Sequence, residues 1–173
     1  MRIKQLLAAL LFCLAAPALL AASGPANYSG HWSLDKTRSK NLPPHYQEVT
    51  QHELNITQDP KTLTVAVTVK LEQHDPDHLE FKYSLDGAST KAESMIRTPD
   101  GPMTVPATLQ AKPEGDGGLL ITIERELPFG EQPIKATTTE HWHLDSEGKV
   151  LTIERADDSP RGRRESTMVF TKS

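Results

Sequence analysis

The chain has 173 residues, with 19 basic and 23 acidic side chains, a formal net charge of −4 and 36% hydrophobic residues. That length suits one domain with a sizeable core, and the acidic balance argues against a phosphate backbone as partner, so no nucleic acid is expected. Cys13 is the only cysteine, which excludes a disulfide framework within the chain.

Residues 1–22 read as a cleaved signal peptide. Arg2 and Lys4 precede an apolar run from Leu6 to Leu20 that ends in small residues, the three-part plan of an exported chain. The run is shorter than the ~20 apolar residues of a membrane span, and the flank with Ser23, Gly24, Pro25 and Asn27 offers no cation to stop transfer. Cleavage is expected after Ala21 or Ala22, leaving residues 23–173 as a single periplasmic or secreted domain without a membrane span. Loss of Arg2, Lys4 and Cys13 leaves 17 basic against 23 acidic residues, a net charge of −6, and no thiol. The core of such a domain must hold without covalent help.

Past the leader, period-two alternation recurs and helical periodicity is nearly absent. A first strand is expected over 28–34, with Tyr28, Trp32 and Leu34 inward, followed by an irregular stretch over 35–46 and a strand over 49–58. Leu63, Val65, Val67, Val69 and Leu71 alternate with Thr62, Thr64, Ala66, Thr68 and Lys70, which sends the large apolar side chains to one face. Leu79, Phe81, Tyr83 and Leu85 repeat the pattern. Residues 86–102 read as irregular, with an extra strand hidden around 91–97. Further strands are expected over 103–111, 119–127, 134–144, 150–155 and 165–171. Turn signals separate them: PEGDGG, PFGEQP, DSEGK and DDSPRG. Short connectors favour antiparallel neighbours. The expected fold is therefore all-β, an antiparallel up-and-down meander of eight to ten strands, either a barrel or a two-sheet β-sandwich.

Gly30-His31-Trp32 in the first strand resembles the Gly-x-Trp of calycin-type barrels, the lipocalins and their relatives. In those proteins an arginine near the last strand packs across the tryptophan. The resemblance implies a structural plug of Gly30, Trp32 and Arg164, since alternation puts Arg164 on the face of Met168 and Phe170. NYSGHWSLDKTRSKNLPP with the later EHWHLDSEGKVLTIER is similar to small exported bacterial lipocalin-like proteins, mostly of unassigned function. This chain lacks the cysteine pair of true lipocalins. The resemblance implies a lipocalin-like barrel that binds a small molecule in its lumen.

Three groups of residues bear on chemistry. His141 and His143 form an H-x-H on one strand, the weak candidates for a metal; with Trp142 inward both face solvent, and no zinc motif such as HExxH accompanies them. Glu140 shares the inward face with Trp142 and Thr138, while Arg125 and Arg155 share inward faces with Ile121, Ile123, Leu151 and Ile153. Charges in such places need partners. They form either an internal ion-pair network or the polar head-group site of an apolar pocket. Nucleophile elbows, catalytic triads and phosphate-binding glycine loops are missing, so no catalytic residue and no cofactor is expected.

The leading expectation is an exported barrel that binds a small hydrophobic or amphiphilic ligand. Trp32, Phe81, Tyr83 and Trp142 are its candidate lining, and Arg125, Glu140 and Arg155 its candidate polar contacts. Two other readings stay open: an envelope protein acting by protein contact through 35–46 and 86–102, and a small-barrel enzyme on a lipophile.

Overall fold

The computed structural model describes residues 26–98, 101–128, 132–160 and 162–173; the expected signal peptide over 1–22 lies outside them. Ten strands follow in chain order. They are β1 (Gly30–Leu34), β2 (Val49–Gln58), β3 (Thr62–Leu71), β4 (Asp77–Ser84), β5 (Thr90–Thr98), β6 (Gly101–Pro113), β7 (Leu119–Leu127), β8 (Ile134–Leu144), β9 (Val150–Ser159) and β10 (Gly162–Lys172).

All ten join one sheet in the order β4-β3-β2-β1-β10-β9-β8-β7-β6-β5. Each neighbouring pair is antiparallel, and the first strand pairs with the last through Trp32 opposite Lys172 and Leu34 opposite Phe170. The sheet thus rolls into an up-and-down barrel rather than splitting into a sandwich. The roll is nearly closed: β4 and β5 approach one another but form the two ends of the hydrogen-bonded order. Where β1 stops, residues 35–40 continue along β10. Asp35 N–H donates to the Val169 carbonyl, and Lys40 and Thr167 exchange two backbone hydrogen bonds.

Alternation built these strands as expected, and burial shows what lies inside them. In β3, Leu63 and Val65 are fully packed, while Val67 and Val69 on the same face are only half-buried. Leu63 sits in a filled end of the barrel, while Val65, Val67 and Val69 line the lumen. Tyr28, Trp32, Leu109, Leu119, Ile121 and Leu151 fill the closed end and are wholly buried. There the Tyr28 hydroxyl donates toward the carbonyls of Trp142 (3.0 Å) and Gly117 (3.1 Å). Tyr28 meets the Trp142 ring edge-on at 5.8 Å, and the Trp32 indole N–H donates to the Tyr28 carbonyl at 2.9 Å.

The extra strand expected around 91–97 is present as β5, and one turn motif departs from expectation. The stretch over 86–102 contains all of β5 and the start of β6, because the inward residues of β5 include Ala92 and Ser94, too small and polar to signal a strand by hydrophobic period. The motif DDSPRG is mostly strand: β9 runs to Ser159 and β10 begins at Gly162. Arg163 accompanies this extension with an ion pair across to Asp158 on β9 at 2.8 Å and a second along β10 to Glu165 at 2.9 Å.

Candidate functional site

At the open end the barrel encloses a cavity of about 200 Å³. Its wall is drawn from eight strands and has an apolar and a polar part. Leu54, Val65, Leu79, Ile123, Ile153 and Met168 supply aliphatic surface, and Phe81, Trp142 and Phe170 supply rings.

The polar part begins with register. Glu140 on β8 lies directly opposite Arg155 on β9, and Thr138 lies opposite Asp157, so two inward pairs stand side by side. Arg155 Nη1 approaches Glu140 Oε1 at 3.3 Å, and its Nε and Nη2 both reach Asp157 at 3.0 Å. The Thr138 hydroxyl donates to Asp157 Oδ1 at 2.6 Å. Trp142 Nε1 donates to Glu140 Oε2 at 2.8 Å, which explains how an indole and a carboxylate share one inward face.

Arg125 on β7 completes the network differently. Its backbone neighbour on β6 is Ala107, whose small side chain lets the guanidinium cross to β5. There Nε donates to Ser94 Oγ at 2.8 Å, and Nη1 donates to Thr138 Oγ1 at 2.8 Å. Its direct partners are thus hydroxyls; among the described residues no carboxylate pairs with it.

Burial and neighbouring charge act on these groups in opposite senses. Burial, and then the Arg155 charge, hold Arg125 below the ordinary guanidinium range. Arg155 also suffers burial, but Glu140 and Asp157 outweigh it and hold its pKa above the ordinary range. Burial pushes the Asp157 carboxyl up, yet the hydrogen bonds from Arg155 and Thr138 and the Arg155 charge leave it below the usual carboxylate range.

A third group caps the lumen. A short 3-10 turn at Pro44–Gln47 is pinned by Lys36 Nζ, which donates to the carbonyls of Tyr46 (3.2 Å) and Val49 (2.6 Å). The turn puts the Tyr46 hydroxyl 3.2 Å from His52 Nδ1, and His52 stands edge-on to Phe170 at 5.2 Å. Burial, reinforced by the Arg155 charge, brings His52 down to about 4. Burial likewise raises Tyr46 to about 12. Tyr83 is 3% exposed, with its phenol raised by burial and then by Glu140. Among the described residues its hydroxyl has no hydrogen-bond partner. Since no fully buried side-chain oxygen there lacks a partner, the Tyr83 oxygen must open on the cavity.

Of the residues singled out from sequence, Phe81, Tyr83, Arg125, Glu140, Trp142 and Arg155 line this one cavity. Trp32 does not. It is sealed in the closed end, and the cation over its ring is Lys172, with Nζ 5.0 Å from the centroid. Arg164 lies opposite Asp157 and is exposed, so it cannot form the plug: it shares the parity of Lys172 but sits eight residues earlier on β10. Gly30 has its own reason. Its φ is +145°, and a Cβ there would collide with the Lys172 stem that crosses it to reach Trp32. His141 and His143 point outward, and His141 Nδ1 pairs with Glu114 at 3.0 Å; the described residues contain no group of three or more metal-ligating side chains placed to hold an ion. Sequence reasoning overlooked Tyr46, His52, Ser94 and Asp157. Asp157 has the parity of Arg155, two residues on, but lies beyond the strand expected over 150–155.

No family model matches the chain, and no curated protein matches it. Among solved structures it is similar to a zebrafish ileal bile acid-binding protein complexed with cholic acid, with a TM-score of 0.45 and 12% identity over 84% of this chain and 98% of that one. It is also similar to apocrustacyanin C2, with a TM-score of 0.38, and to lobster apocrustacyanin A1, with a TM-score of 0.37. Both are 15% identical to it and overlap 84% of this chain and 61% of theirs.

Proposed function

We propose that this is an exported protein whose barrel binds a small hydrophobic or amphiphilic molecule in its lumen. The observation that carries the reading is a cavity of about 200 Å³ into which the Tyr83 hydroxyl, without a partner among the described residues, opens beside the rings of Phe81 and Trp142. A bound molecule can hydrogen-bond this hydroxyl while covering the rings of Phe81 and Trp142. Apolar walls with a few convergent polar groups are the usual make-up of a small-molecule site. The leader with Arg2, Lys4 and the run from Leu6 to Leu20 supports release from the cytoplasm.

Native mass spectrometry of protein purified from its own host tests both parts. The expected spectrum shows a chain that begins after Ala21 or Ala22 and carries a non-covalent small-molecule adduct. Repeated preparations with no adduct would remove lumenal carriage, and a chain retaining its first 22 residues would remove cleavage and release.

A further inference from the structure

We infer that the lumen is built for a compact aromatic carboxylate, one ring with a short acidic chain, in preference to long-chain lipids and to neutral molecules of the same shape. This deepens the lumenal-binding reading and rests on it.

Size comes first. A cavity of roughly 150 Å³ accommodates one benzene molecule, so about 200 Å³ holds a ring and a short substituent. Sites for drug-sized ligands run from roughly 300 to 1,000 Å³, and a long alkyl chain or a sterol needs space of that order. The walls suit the ring. Phe81, Trp142, Phe170 and Tyr46 all face the cavity, and aromatic groups pack favourably edge-to-face or offset.

The polar group follows from unused hydrogen-bonding capacity. Arg125 spends Nε on Ser94 and Nη1 on Thr138; its Nη2 has no partner among the described residues. Ser94 Oγ accepts from Arg125, and its own proton goes to no acceptor among them. The Tyr83 hydroxyl adds a third free proton. By contrast, all four carboxylate oxygens of Glu140 and Asp157 already accept a hydrogen bond from Arg155, Thr138 or Trp142. The groups around Arg125 with no partner of their own, its Nη2 and the Ser94 and Tyr83 protons, are donors, and a group that only accepts can take all of them. A carboxylate is such a group, and guanidinium hydrogen bonds to it are the charge-assisted, stronger kind.

Charge agrees with this. Both lumenal carboxylates serve Arg155, and Arg125 has hydroxyl partners alone. The depressed Arg125 pKa, caused first by burial and then by Arg155, marks a cation whose surroundings do not fully repay its desolvation. An incoming carboxylate would supply the missing counter-charge, with Tyr83 donating to its second oxygen. Arg125 and Tyr83 are near enough for each to shift the other's titration.

Isothermal titration at pH 7 with three probes decides the matter: 3-phenylpropanoate, 3-phenylpropanamide and palmitate. The acid is expected to bind at least tenfold tighter than its amide, and tighter than palmitate. Arg125→Gln should bring the acid down to the affinity of the amide, and Tyr83→Phe should weaken the acid several-fold. If Arg125→Gln does not fold, the acid-to-amide ratio in the unaltered protein still decides. Equal affinity for acid and amide, or tighter binding of palmitate, overturns this inference and leaves lumenal binding standing. If none of the three binds, this inference falls, while lumenal binding is decided by the adduct in native mass spectrometry.

Discussion

Acidification should weaken this fold well above the pH at which carboxylates protonate, and His52 should be the cause. Its imidazole is buried against Phe170 and Tyr46, with a pKa near 4 compared with an ordinary 6.5. Between those values the unfolded chain binds a proton that the folded chain refuses. Stability from this group is therefore fully present above about pH 6.5 and is lost as pH falls toward 4. At about 1.4 kcal/mol per pH unit, the full loss is about 3 kcal/mol, of which roughly 2 is gone by pH 5. Urea unfolding of the wild type and of His52→Gln at pH 7 and pH 5 measures it. The glutamine keeps a hydrogen-bonding side chain for Tyr46 and does not titrate in this range. The wild type should lose roughly 2 kcal/mol more than the variant between the two pH values, equivalent to about 4–8 °C in melting temperature. The other six histidines are common to both proteins and cancel in the difference. Parallel losses in the two proteins would refute the argument.

Removing the cation shared by two carboxylates should be severe. Arg155→Met leaves Glu140 and Asp157 without their partner, and breaking a buried pair costs on the order of 3–5 kcal/mol. Arg155 and Asp157 keep roughly a third of their side-chain surface accessible, so a loss of about 3 kcal/mol is expected in urea denaturation. Adding Glu140→Gln and Asp157→Asn to the same chain should recover at least half, and no recovery would contradict the ion-pair account. At the closed end, Gly30→Ala should cost about 1–2 kcal/mol because of its positive φ and the Lys172 stem beneath it. Adding Lys172→Ala should relieve the steric share of that cost, and denaturation midpoints of the single and double variants report whether it does.

Much of this barrel was legible because a half-buried strand writes its own period. Leu63 to Leu71 and Leu79 to Leu85 alternate without interruption, and both became strands in the expected orientation. β5 left only a faint trace, read as an extra strand around 91–97, because its inward positions include alanine and serine, chosen by what they accommodate across the lumen rather than by hydrophobicity. Ser94 is buried to hold Arg125, and Ala107 is small to let Arg125 pass. Such reasons are tertiary and leave no periodic trace.

The same limit decided the site. Parity along one strand correctly brought Glu140, Trp142, Arg125 and Arg155 to a common interior. Parity alone could not choose between Arg164 and Lys172 as the cation over Trp32, because both satisfy it. The choice is made by register, Trp32 opposite Lys172, which depends on how β1 docks against β10. Asp157 was concealed for a related reason: beside Asp158, Ser159 and Pro160 it reads as a turn, until the pairing with β10 extends the strand through it.

The two tryptophans supply the most direct test of the central claim, since Trp142 lines the lumen and Trp32 is sealed in the closed end. In a ¹H–¹⁵N spectrum each indole N–H gives its own signal, one bonded to Glu140 and the other to the Tyr28 carbonyl. Titration with 3-phenylpropanoate should move the Trp142 signal in a saturable manner and leave the Trp32 signal in place. A saturable shift of Trp32 with Trp142 unmoved, or no shift of either, would contradict a ligand site in the lumen.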